Sequence, residues 1–227
     1  MRQLQKAIGY FFRDSALLET ALTHTSYANE VYKDGLHSYE RLEFLGDSIL
    51  GFTAADYLSR TFPKLHEGEL TKLRAELVCE TSLAETAKKL DLGAHLRLGK
   101  GEEAGGGRCR TSIIADVVEA IIAAIYLDGG LDPAQRFIYT HVLVDTKARI
   151  RLNTDYKTML QELIQQKKNQ VLTYELLGET GPDHDKEFSV RVLLNGRPIG
   201  VGAGTSKKRA EQAAAKEAVE ALFPDHS

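Results

Sequence analysis

Residues Glu40–Ser48, in order Glu-Arg-Leu-Glu-Phe-Leu-Gly-Asp-Ser, hold three acids inside an otherwise apolar helical pattern. Glu40, Glu43 and Asp47 lie at positions i, i+3 and i+7, which fall within about 60° on one face of an α-helix. The side chains around them are of the apolar kind that buries a helix in a core, namely Leu42, Phe44, Leu45, Ile49 and Leu50. The spacing predicts a helix over Tyr39–Leu58 that presents a stripe of carboxylates.

A second acidic pair stands in a still more apolar stretch. Asp116 and Glu119 are the only charged residues between Ser112 and Leu127. That stretch is too long for a strand and predicts a buried helix. Because a lone buried carboxylate is costly, the five carboxylates of the two stretches require an explanation.

Three explanations compete for these carboxylates. Helix capping and the helix dipole account for Glu40, which would lie in the first turn after Ser38 with Arg41 adjacent. Buried salt bridges would need Arg108 and Arg110, the basic residues nearest in sequence to the second pair. A hard divalent cation is the third explanation, since Mg²⁺ and Mn²⁺ prefer carboxylate oxygens, whereas zinc usually takes His and Cys. The metal interpretation is favoured.

Composition excludes several classes of protein. The chain has 227 residues, 43% hydrophobic and 27% charged, which is ordinary for a soluble globular protein of one large or two smaller domains. No apolar run approaches the ~18 residues that span a bilayer, and the first residues lack the apolar core of a secretory signal. Cys79 and Cys109 form no CxxC pair, which argues against a disulfide scaffold. A cytoplasmic protein without a membrane partner is expected.

The pattern of predicted elements changes near residue 150. Residues 1–150 are predicted to form an all-α domain, with one long helix over Glu69–Leu90 and a flexible glycine-rich loop over Gly99–Gly107. A linker is expected at 147–154. Residues 154–223 predict a small α+β domain in the order helix, three antiparallel strands, helix.

A basic cluster precedes the last predicted helix. Lys207, Lys208 and Arg209 crowd a helix N-terminus, which is unfavourable against the helix dipole unless an anion binds there. A solvated basic turn is the alternative interpretation, and the net charge of the whole chain is −3. Gln161 and Glu162, on the first helix of this domain, could reach 2′-hydroxyl groups in a shallow RNA minor groove. Since the domain has no surplus of aromatic residues for stacking on single-stranded bases, recognition of duplex RNA is favoured.

Three segments together resemble the ribonuclease III family. Residues Glu40–Ser48 resemble the family signature, and Ile114–Ala120 resembles its second acidic motif. Residues 154–223 look like a double-stranded-RNA-binding domain, with Gly202–Lys208 as its phosphate-contacting turn. The resemblance implies a Mg²⁺-dependent endoribonuclease, in which Mn²⁺ can substitute. Such an enzyme hydrolyses double-stranded RNA to 5′-phosphate and 3′-hydroxyl ends, with rRNA precursors and mRNA as expected substrates.

The family pattern also implies roles for individual residues. The metal would be held by four carboxylates: Glu43, Asp47, Asp116 and Glu119. Two of them, Asp47 and Glu119, would be closest to the chemistry. Two further acids would stand at the edge of the catalytic valley: Glu40 and Glu67. The positions that match RNA contacts are Gln161, Glu162, His184, Ser206, Lys207 and Lys208.

Phe44 has two interpretations. Its side chain is turned about 100° from that of Glu43 and points well away from the acidic face. It is either an ordinary core residue or, as the family pattern implies, an aromatic that enters a socket on a second subunit. In the second case a two-fold homodimer would place one catalytic site on each of the two antiparallel RNA strands.

Two other functions fit parts of the sequence. A catalytically inactive double-stranded-RNA-binding protein, such as a ribosome-associated relative, would be expected to have lost the carboxylates. A Mg²⁺-dependent phosphohydrolase acting on small nucleotides would have no use for the second domain. The chain departs from many members of the family at Thr111, where they carry glutamate, and no role is assigned to that position.

Overall fold

Helices dominate the first part of the chain, as its content of Leu, Ala, Glu and Lys predicts. The computed structural model describes residues 1–144, 146, 156–165, 169–182 and 186–223. The chain divides into two units, Met1–Ala148 and Arg149–Ser227. The α-helices that the structure describes in the first unit are Arg2–Ile8 (α1), Ser15–Ala21 (α2), Thr25–Val31 (α3), Glu40–Thr61 (α4), Glu67–Leu77 (α5), Glu80–Lys89 (α6), Lys100–Ala104 (α7), Thr111–Gly129 (α8) and Leu131–Phe137 (α9).

The second acidic stretch forms the central helix of this unit, α8. From Ile113 to Ile125 its residues are buried, except for Asp116 and Glu119, which are half-buried. Helices α2, α4, α6 and α9 pack around it. An apolar helix of this kind must be covered by other elements, and the half-buried Asp116 and Glu119 lie at the boundary of that cover.

Helices α4 and α8 approach each other closely at a glycine. A Cβ atom on Gly46 would overlap the backbone carbonyl group of Glu119. Glycine therefore lets the two helix backbones touch at this point, which any side chain would prevent. Glu43 precedes Gly46 by about one helical turn, so the acidic stripe of α4 borders the contact.

The predicted single helix over Glu69–Leu90 is wrong. The structure has two helices there, α5 and α6, because the backbone at Cys79 is extended, with φ −70° and ψ 158°. After the break, α6 packs on α8 and buries Leu83 and Ala87. Residues with high helix propensity continue across the break, so propensity alone does not reveal it.

The glycine-rich segment 99–107 contains a helix, α7, contrary to the prediction of a loop. Arg108 holds this segment in place, since its guanidinium group bonds the Glu103 carboxylate at 2.6 Å. It also donates to three backbone carbonyl oxygens of residues 93–96, at 3.0, 3.5 and 2.9 Å. These contacts offset the conformational entropy that the glycines lose on folding. They depend on Arg108 and on the backbone of residues 93–96, which lie outside the glycine-rich segment.

The second unit is a three-stranded sheet with two helices packed on one face. Its elements are Tyr156–Gln165 (α10), Leu172–Thr180 (β1), Glu187–Leu194 (β2), Arg197–Gly204 (β3) and Lys207–Leu222 (α11). The strands are antiparallel in the order β1-β2-β3, and Asn195 and Gly196 turn the last hairpin with φ of 52° and 79°. Leu160, Val192 and Ala214 pack in one cluster without exposed surface, which joins both helices to the sheet. The predicted fold class, an all-α domain followed by an α-β-β-β-α domain, is confirmed.

The chain's organisation between the units is only partly described. The predicted linker at 147–154 lies outside the described residues, so the domain limits of 1–150 and 154–223 stay a prediction. Within the described ranges, no helix is both long and apolar enough to cross a lipid bilayer.

We expect Gly46→Ala to lower the free energy of unfolding by about 1–3 kcal/mol, because the new methyl group must push α4 away from the Glu119 carbonyl. Urea unfolding of the full chain measures the change. Gly68→Ala is the matched control, since this glycine of α5 has no atom within 4 Å of its missing Cβ. It should keep or raise stability through better helix propensity. Wild-type stability of Gly46→Ala would contradict the proposed constraint.

Candidate metal centre and nucleic-acid interface

Three carboxylates meet where α4 packs on α8. One oxygen atom from each of Glu43, Asp116 and Glu119 lies within 4.8 Å of the others. Asp116 and Glu119 share a face of α8 through their i, i+3 spacing, and Glu43 comes from α4 across the contact at Gly46. All three side chains are half-buried, so they form a group of oxygen donors at the edge of the core.

Two other acids of α4 lie around this group. Asp47 is exposed and outside the group, although its charge acts on both Glu43 and Glu119. Glu40 is exposed and accepts a hydrogen bond from the Thr25 hydroxyl at 2.6 Å. The stripe predicted for α4 therefore divides into one inner and two outer carboxylates.

Glu67 is not brought to the acidic group. It is the exposed first residue of α5, and its carboxylate accepts a hydrogen bond from the Thr71 hydroxyl at 2.8 Å. The structure thus brings together three of the four predicted metal ligands, Glu43, Asp116 and Glu119. The fourth, Asp47, lies near enough for its charge to act on Glu43 and Glu119.

Burial and mutual repulsion raise the pKa values of the clustered acids. Burial, followed by the charges of Asp47, Glu43 and Asp116, raises the pKa of Glu119 to about 8. Burial is also the main cause that raises the pKa of Glu43 and the pKa of Asp116. Carboxylates this close favour a cation, because a positive charge between them stabilises their ionised forms. Such perturbed groups cluster at functional sites.

The explanation by buried salt bridges is wrong for the acids of α8. Arg108 pairs with Glu103 at 2.6 Å, and Arg110 pairs with Glu102 at 2.8 Å. Both arginines are thus engaged with glutamates of α7. In the part of the chain that the structure describes, no lysine or arginine forms an ion pair with Asp116 or Glu119.

The donor set fits a hard divalent cation. Its members offer carboxylate oxygens, and neither histidine nor cysteine belongs to the group. Mg²⁺ and Mn²⁺ take such oxygens and keep bound waters, whereas structural zinc sites use nitrogen and sulfur ligands. The half-buried position leaves one side of the group open to solvent and to a substrate.

Tyr39 touches this group, although sequence analysis assigns it no role. Its side chain is buried, and its hydroxyl donates a hydrogen bond to Asp116 Oδ2 at 3.4 Å. The His24 ring lies 5.7 Å from the Tyr39 ring, centroid to centroid, and His24 caps α3 by accepting from the Ser26 backbone N–H. The available sequence signal is that Tyr39 stands directly before the first acid of the stripe.

The basic cluster lies at the start of α11. Ser206 is the N-cap residue, and its hydroxyl oxygen accepts a hydrogen bond from the backbone N–H of Arg209 at 3.2 Å. Lys207 and Lys208 are exposed, and the first turn of this helix carries no acid. Free backbone N–H groups, the positive end of the helix dipole and two lysines therefore favour an anion at one place.

The other predicted RNA contacts lie elsewhere in the second unit. Gln161 and Glu162 are exposed on α10, whose apolar residues Leu160 and Ile164 are buried against the sheet. His184 lies outside the described residues.

Phe44 is not a core residue. Its side chain is 79% exposed, and that of Phe52, about two turns later on α4, is 57% exposed. Both are large apolar side chains at exposed positions of the same helix. Exposed apolar side chains of this size gain free energy when a partner surface covers them.

Comparisons with protein families cover most of the chain. The Ribonuclease-III-like family matches residues 14–146, and the Double-stranded RNA binding motif matches residues 156–222. Both matches include the sites described above, since the first spans the acidic group and the second spans the basic cluster.

Curated relatives are similar over almost their whole length. Ribonuclease 3 of Listeria monocytogenes serotype 4a is 45% identical over 221 residues, which cover 97% of this chain and 96% of the relative. Ribonuclease 3 of Pelotomaculum thermopropionicum is 49% identical over 218 residues, which cover 95% of this chain and 90% of the relative.

Solved structures are similar to the first unit. The nuclease domain of ribonuclease III from Campylobacter jejuni is 39% identical with a TM-score of 0.58, covering 63% of this chain and 93% of that chain. A second structure of that domain, which concerns structural flexibility in its region involved in dimer formation, is 40% identical. Its TM-score is 0.58, and it covers 62% of this chain and 94% of that chain.

We expect the stability of the chelator-treated protein to fall as pH rises from about 4.3 to about 8 and to level off above that, once folded Glu119 has lost its proton. Its folded pKa lies above the ordinary value of about 4.3, so the folded state holds a proton that the unfolded state has lost. The contribution of Glu119 to the free energy of unfolding is fully present below its ordinary pKa. It has been lost once the pH has risen past the folded pKa.

Thermal unfolding in EDTA between about pH 5 and pH 9 measures this effect. Glu119→Gln carries no titratable group and should show a flatter pH dependence than wild type, whereas Glu67→Gln, at an exposed acid, should follow the wild type. Parallel profiles for wild type and Glu119→Gln would contradict the raised pKa.

Proposed function

The chain belongs to the ribonuclease III family, and we propose that it cuts double-stranded RNA with Mg²⁺ held between α4 and α8. It is an endoribonuclease with a nuclease domain and a double-stranded-RNA-binding domain. The observation that carries the proposed site is the group of Glu43, Asp116 and Glu119, whose oxygens lie within 4.8 Å of one another.

We propose four carboxylates as the metal ligands: Glu43, Asp47, Asp116 and Glu119. A bound Mg²⁺, for which Mn²⁺ can substitute, lowers the pKa of a bound water and neutralises charge on the phosphodiester. Asp47 is exposed and its charge acts on Glu43 and Glu119, which supports a role for its carboxylate toward a substrate that approaches from solvent. Glu119, the most strongly perturbed of the acids, lies on the inner side of the same site.

Hydrolysis at this site would leave a 5′-phosphate and a 3′-hydroxyl end. The oxygen of water forms a bond to phosphorus and gives up a proton, the bond from phosphorus to the 3′ oxygen breaks, and the 3′ oxygen takes up a proton from solvent. Glu40 and Glu67 are proposed as accessory acids at the edge of the catalytic valley. Both are exposed, which supports contact with solvated parts of the substrate.

The second unit is proposed to bind the duplex through its shape and phosphates. The proposed contacts are Gln161, Glu162, His184, Ser206, Lys207 and Lys208. The exposed lysines at the capped start of α11 support a phosphate contact, and the exposed polar residues of α10 support a minor-groove contact.

We also propose that the chain acts as a homodimer with Phe44 in the interface. The Phe44 side chain is 79% exposed, and covering such a large aromatic ring with a partner surface removes apolar area from water, which favours association. A two-fold dimer uses the ring twice and sets two catalytic sites in the antiparallel relation of the two RNA strands.

Substrates and place of action follow from the family resemblance. rRNA precursors and mRNA are the proposed targets, and the cytoplasm is the proposed compartment. Both cysteines, Cys79 and Cys109, are free thiols, which suits a reducing compartment. A catalytically inactive RNA-binding protein would have no use for a costly cluster of half-buried acids.

We expect Glu119→Gln to reduce cleavage of duplex RNA at least about a hundredfold at limiting Mg²⁺, because the variant loses an anionic ligand. Its affinity for the duplex should stay within about twofold of wild type, since phosphate contacts dominate binding. The assay compares duplex RNA, single-stranded RNA of the same sequence and free nucleotides. Near-normal cleavage by this variant, or a wild-type preference for nucleotides, would sink the proposal.

The complementary variant separates binding from chemistry. Lys207→Ala with Lys208→Ala should weaken duplex binding for all sequences and reduce the salt slope by about one unit per lost contact. Lys216→Ala is the matched control, because this exposed lysine lies further along α11 and pairs with Glu220. A salt slope equal to wild type in the double variant would show that the cluster does not touch phosphate.

We expect Phe44→Ala to shift the protein from dimer to monomer, because one substitution removes two aromatic anchors from a two-fold interface. Truncation of a buried aromatic costs about 3–5 kcal/mol per side chain. Sedimentation velocity at low micromolar concentration measures the shift, and cleavage should change from double-strand cuts to nicks. Phe11→Ala removes another exposed phenylalanine, 61% exposed, and should stay dimeric. A folded, fully dimeric Phe44→Ala protein would overturn the role of this residue.

A further inference from the structure

A buried tyrosine links the two helices that supply the acidic group. Tyr39 is 3% exposed and stands at the N-cap position of α4. Its backbone carbonyl accepts the Glu43 N–H at 2.8 Å, and its hydroxyl donates to Asp116 Oδ2 at 3.4 Å. One residue is therefore bonded to the backbone of one acid and to the side chain of another.

The position of Tyr39 is fixed from both ends. Its backbone N–H donates to the Thr23 carbonyl at 2.9 Å, which ties the start of α4 to the segment before α3. The ring lies against that of His24, with centroids 5.7 Å apart. Because backbone and ring are both held, the hydroxyl has little freedom to leave Asp116.

A neutral hydroxyl suits this place in the cluster. The carboxylates repel one another, so an acid with a free side chain would turn toward solvent. A tyrosine hydroxyl is neutral at ordinary pH, and toward a carboxylate it acts as a hydrogen-bond donor. A donor that fixes one carboxylate oxygen without adding charge orients a ligand and leaves the charge of the site unchanged.

We propose that Tyr39 is a positioning residue for the metal centre, holding the Asp116 carboxylate in the orientation that meets Glu43 and Glu119. This inference rests on the proposed function, because it assumes that the three carboxylates bind the metal. At 3.4 Å the hydrogen bond is long for an O–H···O contact, so the effect should lie near the lower end of what outer-shell partners contribute.

Tyr39→Phe tests the proposal, because it removes the hydroxyl and keeps the ring. We expect the affinity of the full chain for Mn²⁺, measured by calorimetry without RNA, to fall about tenfold. The Mg²⁺ concentration for half-maximal cleavage should rise by a similar factor. The cleavage rate at saturating Mg²⁺ should stay within about twofold of wild type, a separation that general misfolding would not produce.

Tyr10→Phe is the matched control. Tyr10 also donates its hydroxyl to a carboxylate, Asp128 Oδ2 at 2.7 Å, but that acid is not a member of the metal group. This variant should lose stability and keep the wild-type affinity for Mn²⁺. Equal loss of Mn²⁺ affinity in both variants, or wild-type affinity in Tyr39→Phe, would overturn the positioning role.

Asp116→Asn distinguishes failure of this inference from failure of the proposed site. If Asp116→Asn abolishes Mn²⁺ binding and Tyr39→Phe leaves it unchanged, the metal site stands and the role of Tyr39 is refuted. If Asp116→Asn binds Mn²⁺ like wild type, the proposed site itself is refuted and the role of Tyr39 with it.

Discussion

The backbones of two helices touch where Gly46 of α4 meets the carbonyl group of Glu119 on α8. Only glycine allows this approach, since a Cβ atom would occupy the place of the carbonyl oxygen. The contact sets the distance between the two helices, and that distance decides whether Glu43 reaches Asp116 and Glu119. Assembly of the acidic group therefore depends on the packing of these two helices. A change that separates the helices would also move the carboxylates apart.

The acidic group opposes the stability of the core that forms it. Helix α8 is almost entirely buried, and this burial is the largest cause that raises the pKa of Asp116 and of Glu119. Ionised carboxylates in such a place cost free energy unless a cation neutralises them. The same burial thus destabilises the ionised protein and makes the site attractive to a cation. The packing of the buried helix therefore holds carboxylates together that repel one another.

A glycine also allows a close backbone contact in the second unit, between a strand and a helix. A Cβ atom on Gly202 of β3 would overlap the backbone of α11 at Ala214, so strand and helix touch much as α4 and α8 do. Here the contact holds the helix whose first turn exposes Lys207 and Lys208. Exposed charges of this kind attract an anion through solvent and need no burial. The half-buried acids and the exposed cations are thus carried by separate units.

Sequence alone predicted the fold class and several of its elements. Helical spacing placed the acids of α4 on one stripe, and Asn195-Gly196 predicted the hairpin, because both signals come from residues close together in the chain. Sequence did not reveal the break at Cys79, the engagement of Arg108 with α7, or the hydrogen bond from Tyr39 to the acidic group. The tertiary structure also decided which acids meet and which stay outside. These outcomes depend on the distance between packed helices that are far apart in the sequence. Local periodicity carries no information about that distance.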